Sequence, residues 1–411
     1  SDRAATTTTA PARLNPSDWG SVRDQFALDP DIAHFAAYVF ASHPRQVAEA
    51  IERHRAGLDR DPEGYLLVAQ AELEANVALA AALYLGGDPG QVAFTDSTTM
   101  GIGLVYGGLR LAEGDEVVTT EHDFYSTYEA LRLRAERTGA RVTRVQLYDD
   151  PADADADQMV ERLIAAVTPA TRAMAVTWVH SGTGVKLPIL ELASALAELN
   201  ARRSDAPVLL CVDGVHGLGA EATTVEDLGC DFLMAGTHKW LYGPRGTGIV
   251  WGKADAWEQL DVIIPPFEES SFGGWLRGGT PDGEPGPRAT PGGYHTFEHR
   301  WALSEAFDFH QAIGRTRVAE RIAEQATQLK EGLAEVGHVR VVTPTSPAAS
   351  AGIVCLNVEG FDATDVVERL RRQGLSGSVT PYRQAYARFG PGIVTTPEQV
   401  DDLVAAIDGL L

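Results

Sequence analysis

Lys239 stands in Ala235-Gly236-Thr237-His238-Lys239-Trp240, directly after the apolar run Phe232-Leu233-Met234 and just ahead of the glycine turn Tyr242-Gly243-Pro244-Arg245-Gly246-Thr247-Gly248. It is one of only four lysines, with Lys186, Lys253 and Lys330. Earlier in the chain, Val208-Leu209-Leu210-Cys211-Val212 runs into Asp213-Gly214-Val215-His216-Gly217. An acid therefore ends one strand and a lysine follows another. A lysine amine can hold an aldehyde as a Schiff base, and a carboxylate can keep a ring nitrogen protonated so that the ring accepts electrons from a substrate α-carbon. A strand-end Asp or a surface Lys is commonplace alone. Together, with His-Lys ahead of a glycine turn, they predict a pyridoxal phosphate site.

Such a site has a phosphate to place. Asp96-Ser97-Thr98-Thr99-Met100-Gly101 follows a strand and opens a helix, where free backbone N–H groups and the helix dipole favour an anion. The same residues would also serve as a plain N-cap, and the phosphate tips the reading toward binding. Glu121-His122-Asp123-Phe124 ends another strand at the same edge, and an imidazole there suits stacking on a cofactor ring or proton transfer. His216 suits the cofactor's ring oxygen and His238 its phosphate, although an ordinary hydrogen-bonded histidine is an equal alternative for each. Arg388, in Tyr386-Ala387-Arg388-Phe389-Gly390-Pro391, is of the type that binds a carboxylate bidentately. The three cysteines, Cys211, Cys230 and Cys355, lie in or beside apolar strands without metal-type spacing, so they read as buried small hydrophobes and no metal is expected.

The elements that must position these groups alternate between about 46 and 260. Strands are expected over 91–95, 116–119, 141–146, 173–178, 208–212, 232–235 and 248–251, and helices over 100–111, 126–138, 156–167 and 190–204. This predicts an α/β fold with a mostly parallel sheet, helices on both faces, and the ligand site at the carboxyl ends of the strands. Residues 264–295, rich in Gly and Pro, read as a long functional loop or mobile linker. A long helical stretch over 297–336, interrupted near Gly314, leads into strands at 339–342 and 352–358 and helices at 363–373 and 397–411. The expected division is a tail over 1–17, a large cofactor-binding domain over 46–295, and a smaller α+β domain over 18–45 and 296–411.

The chain has 411 residues and is 44% apolar, an ordinary globular composition. Net charge is 34 minus 57, or -23, which argues against nucleic acid and anionic membrane partners. The longest uninterrupted apolar runs are strand-length, so a membrane span is not expected, and with no targeting segment in view a cytoplasmic location is.

On Glu121-His122, Asp213-Gly214-x-His216, Thr237-His238-Lys239-Trp240 with its glycine turn, and the block from Arg388 to Pro397, the chain resembles the class V aminotransferase branch of fold type I pyridoxal phosphate enzymes. The likeness runs from about residue 30 to the end. It implies that Thr98 and Thr99 hold phosphate, His122 stacks on the ring, Asp213 pairs with the pyridine nitrogen, Lys239 carries the cofactor and Arg388 takes the substrate carboxylate. It further places Ser181 and Thr183 beside the cofactor's ring oxygen and Thr296 against the phosphate of a partner subunit, in a homodimer.

Two stretches, Glu121 to Ser126 and Gly293 to Trp301, are most similar to an isopenicillin-N-epimerase-like subgroup of natural-product pathways, which includes enzymes of cysteine S-conjugates. Where desulfurases of the family carry a persulfide-forming cysteine, this chain has Gln373-Gly374-Leu375-Ser376, which speaks against sulfur relay. The substrate-side segment is Phe35-Ala36-Ala37-Tyr38-Val39-Phe40, bulkier than in relatives, so Tyr38 and Val39 are expected to shape the substrate pocket. The resulting expectation is β-elimination from a cysteine S-conjugate, a C–S lyase reaction. Epimerisation, decarboxylation-coupled oxidative deamination and transamination are the enzymatic alternatives. A non-catalytic cofactor-binding regulator is the alternative of another class, disfavoured by the lack of a basic DNA-binding segment.

Overall fold

The computed structural model describes residues 13–204 and 206–411. Residues 1–12 of the expected tail lie outside the described residues. The rest of that tail is placed, with Leu14 packed against a core cluster and Asn15 N–H donating to Ser21 Oγ at 2.8 Å.

The main sheet has seven strands in the order Val92–Thr95, Gly248–Gly252, Phe232–Gly236, Leu209–Asp213, Thr171–Thr177, Glu116–Thr120 and Arg141–Val145. Every residue of Leu209–Asp213 and Phe232–Gly236 is buried, as continuous apolar runs in a sheet covered on both faces require. Only Gly248–Gly252 is antiparallel to its neighbours, and it is so on both sides. Two reversals restore the direction, so Val92–Thr95 points the same way as the parallel strands. Thr95, Thr120, Thr177, Asp213 and Gly236 therefore all end at one edge.

The sequence reading missed the helices Arg45–Arg60 and Pro62–Leu85 as individual elements. Pro62–Leu85 is long and apolar enough to cross a membrane by length and composition alone. Interruptions such as Glu72, Glu74 and Asn76 hid it from a search for unbroken runs. Its inner face, Val77, Ala81, Tyr84 and Leu85, packs in the main core with Leu303, Ala306 and Phe307 of the helix Phe297–Ile313. Phe297–Ile313 follows the expected boundary at 296; it packs into the main core through Leu303, Ala306 and Phe307, and through Phe309 and Ile313 into a second cluster with Val318, Ile353 and Cys355. The break falls at Gly314, whose φ of 96° ends the helix before Arg315–Ala334 begins.

The smaller domain is a four-stranded antiparallel sheet, Ser378–Val379, Ala387–Phe389, Val354–Val358 and Val339–Val341, packed by Arg315–Ala334, Ala363–Arg372 and Pro397–Asp408. N-terminal residues complete it, Ala33–His34 pairing with Leu375–Ser376. The 264–295 segment is not a bare loop, since it holds the helices Glu269–Leu276 and Pro285–Ala289.

Candidate active site

At the common strand edge lies a cavity of about 270 Å³ whose wall includes Lys239, Asp213, His216, His238, Ser181 and Arg388. Ser97, Thr98 and Thr99 form one end. Ser97 caps the helix Thr98–Gly108 by accepting from Met100 N–H at 3.2 Å, and Thr98 Oγ1 accepts from Gly236 N–H at 2.7 Å. The second bond locks the helix start to the strand that leads to Lys239. Gly236 is needed there, because a Cβ would lie 2.9 Å from the His238 ring and 3.0 Å from Thr98 Oγ1.

Asp213 is 2% exposed and accepts from Val215 N–H at 3.1 Å. Burial pushes its carboxyl up to about 6, against the opposing pull of the Val215 bond and the Lys239 ammonium. Lys239 moves the other way, to about 8, chiefly through burial; Asp213 opposes the shift and the Arg388 guanidinium adds to it. An amine that is easily made neutral beside a buried acid is what covalent attachment of an aldehyde with a protonated ring nitrogen demands. His216 and His238 both carry a buried Nδ1 without a protein partner, and burial lowers the pKa of each. They are neutral imidazoles on residues that line the cavity.

Arg388 is 5% exposed in the strand Ala387–Phe389. Its Nη1 donates to the Ser181 carbonyl at 2.8 Å and its Nε to Ser378 Oγ at 3.1 Å, while the guanidinium lies 4.4 Å over the Tyr38 ring. The guanidinium is itself part of the cavity wall, where it can meet an anion. Tyr38 donates in turn to the Arg388 carbonyl, and burial pushes its phenol up to about 12. The turn that carries Ser181 is held by Gly184, at φ 75°, where a Cβ would meet the Ile353 carbonyl at 2.4 Å.

Other expected site residues lie elsewhere. His122 is not at the cavity wall: its Nε2 accepts from Leu147 N–H at 3.1 Å, and its ring stacks on Tyr148 at 3.8 Å. Burial brings its pKa down to about 3. Asp123 pins the turn that carries it: the Asp123 carboxylate accepts from Thr119 Oγ1, Thr120 N–H and Thr120 Oγ1 at 2.7–2.8 Å. The residues on either side of it then diverge, and Phe124 lines the cavity instead. Thr183 shares a hydrogen bond with the Tyr148 hydroxyl at 3.0 Å, away from the wall. Thr296, at the start of Phe297–Ile313, is exposed and outside its own chain's cavity. The sequence reading also missed Thr177, Ser126, Val215 and Pro381 as wall residues. For Thr177 a signal existed, because it ends the strand in register with Asp213.

The residues present fit pyridoxal phosphate. A helix N-terminus with hydroxyls, two neutral imidazoles with an unpartnered buried Nδ1, a buried acid and a lysine surround one cavity. Among the described residues there is no His, Cys, Asp and Glu cluster suited to a metal ion. The model of the family described as aminotransferase class-V matches residues 69–401. Isopenicillin N epimerase of Streptomyces clavuligerus is 27% identical over 96% of this chain and 98% of its own length. A cysteine desulfurase of Pectobacterium carotovorum is 26% identical over 92% of each chain. Among solved structures, the cystine C-S lyase C-DES in complex with cysteine persulfide superposes with a TM-score of 0.84 at 22% identity, covering 92% of this chain and 98% of that one. A C-DES mutant with glycine covalently linked to the cofactor gives a TM-score of 0.85, also at 22% identity, covering 94% and 98%. At that identity the superpositions show the fold. The family match spans most of the chain, and the protein belongs to the class V aminotransferases, fold type I enzymes that depend on pyridoxal phosphate.

Proposed function

We propose that the protein is a C–S lyase that cleaves the β-carbon–sulfur bond of a cysteine S-conjugate. The observation that carries this reading is the cavity's equipment. It has a lysine, a buried acid and a carboxylate-binding arginine, and no cysteine stands on its wall. All three cysteines are buried. The Gln373–Ser376 stretch ends in a short paired strand, and the loop over 380–386 that leads to Arg388 also lacks a thiol. A persulfide relay needs an accessible thiolate, whereas elimination needs none. The family relatives named for cysteine and for isopenicillin N support an amino-acid substrate with sulfur chemistry.

Pyridoxal phosphate, when bound, supplies an aldehyde for the substrate amine and a ring that draws electrons from the α-carbon. In this reading Ser97, Thr98, Thr99 and His238 hold its phosphate, Lys239 carries its aldehyde carbon, and Asp213 holds the proton on its ring nitrogen. Ser181 and His216 face the ring oxygen. Phe124 gives the ring its aromatic contact in place of His122. Arg388 binds the substrate carboxylate and keeps it out of the breaking position. Lys239, released by the substrate amine, removes the α-proton. The C–S electron pair leaves with sulfur, and water then converts the unsaturated fragment to pyruvate and ammonia. The working unit is a homodimer, a reading supported by the large apolar side chains left exposed, among them Leu67, Val68, Leu79, Leu83, Phe267 and Trp275. Light scattering that finds an active monomer rejects that part.

The test is product analysis with S-substituted cysteines. Thiol, pyruvate and ammonia in equal amounts support the lyase. Inversion at the α-carbon without pyruvate identifies an epimerase, the second reading, which the epimerase relative favours by covering 96% of the chain. Carbon dioxide with an aldehyde identifies a decarboxylating reaction.

A further inference from the structure

Beyond the groups assigned to the cofactor and the α-carboxylate, the wall holds Ser126, Thr177 and Val215, and a second group made of Tyr38, Val39, Pro381 and Phe124, the last of which also meets the cofactor ring. The four residues of that second group are the ones that matter for a side chain. They gather on the Arg388 side. Tyr38 lies under its guanidinium, and Pro381 is in the loop that leads into its strand. Phe124 meets Tyr382 of that same loop edge-on, with ring centroids 6.0 Å apart. A substrate held by its α-carboxylate on Arg388 thus extends its side chain among these four. The Tyr38 hydroxyl is already committed to the Arg388 carbonyl and Ser378 Oγ. Among the described wall residues the only permanent cations are Lys239 and Arg388, both with assigned partners, and the two histidines are neutral. Arg245, a further cation, lies over the ring of exposed Phe40, 5.2 Å from its centre, and is not part of the wall.

We infer that the substrate is an α-amino acid whose side chain is uncharged and apolar beyond the β-carbon, selected by Val39 and Phe124. This deepens the C–S lyase reading, in which the substrate becomes a cysteine with a small alkyl or alkenyl group on sulfur. The physical ground is the lack of an uncommitted cation among the described wall residues: a distal carboxylate would meet Val39, Phe124 and Pro381, with only the Ser126 and Thr177 hydroxyls elsewhere in the wall.

The test uses two amino acids that cannot eliminate, norleucine and glutamate, of similar length and different distal charge. Their dissociation constants are read from the change in the visible band of the purified holoenzyme, so the outcome does not depend on C–S cleavage. Norleucine should bind at least about thirtyfold more tightly, the size expected for one unpaired carboxylate at a partly open site. Val39→Arg, at a residue 45% exposed and so free of a burial penalty, should narrow that ratio by about tenfold or more, measured on the fraction that carries cofactor. Glutamate binding within about threefold of norleucine in the wild type, whether through Arg245 or a partner subunit's cation, overturns the inference. A wild-type ratio that holds while S-methylcysteine releases no thiol sustains the inference and removes the C–S reading.

Discussion

The titration of Lys239 is where the structure makes its sharpest quantitative claim. Burial lowers the ammonium from 10.5 to about 8. At pH 7 a larger share of the amine is then neutral than in a free lysine, because the buried site disfavours the charged form. The second-order rate at which pyridoxal phosphate joins the apo-protein should therefore rise with pH and level off above a midpoint near 8. Two substitutions fix the cause. Asp213 stabilises the charged amine, so Asp213→Asn should move the midpoint below 8; Arg388 destabilises it, so Arg388→Gln should move the midpoint up. Stopped-flow absorbance between pH 7 and 10 reads all three. A wild-type rate still climbing beyond pH 10, or two variants shifting in the same direction, refutes the electrostatic account of this pocket.

Phe124→Ala should weaken cofactor binding by about tenfold, the value of one aromatic contact, whereas His122→Ala should leave that affinity intact and lower stability by about 1–3 kcal/mol, because Leu147 N–H loses its acceptor; cofactor titration and urea unfolding separate the two. Gly184→Ala should cost more than about 2 kcal/mol in urea, since it strains a positive φ and drives a methyl into the Ile353 carbonyl. Arg388→Lys keeps a charge but loses the fork, and should raise the substrate's KM by about 10- to 100-fold while cofactor loading holds; an unchanged KM would place the carboxylate elsewhere.

What could be read from the sequence was what repeats or what chemistry forces. Strand positions in the main sheet emerged within a residue or two, because the inner strands are covered on both faces and read as nearly unbroken apolar runs, while the edge strand Arg141–Val145 is partly exposed and carries two arginines. Lys239 and Asp213 stood out because they follow such runs at the same sheet edge. The direction of Gly248–Gly252 was not legible, because a strand's apolar pattern is the same whichever way it runs. The helix Pro62–Leu85 escaped for the opposite reason. Its buried face is alanine-rich and its outer face also carries leucine and valine, so it lacks the two-sided contrast by which a helix is recognised.

The placement of His122 and Phe124 shows the finer limit. Both residues occur in one four-residue turn after a strand, and residue type favours the histidine. What decides between them is the carboxylate of Asp123, drawn down onto Thr119 and Thr120 by three donors. An Asp with threonines three and four residues earlier is a local signal, available in the sequence, that the turn closes on itself. Once it does, the neighbours must point apart, and the buried surface available to each is set by distant chain. Tyr148 and the Leu147 amide receive the imidazole, while the cavity and Tyr382 receive the phenyl ring. The aromatic wall that selects the substrate side chain thus depends on a carboxylate that itself touches neither cofactor nor substrate.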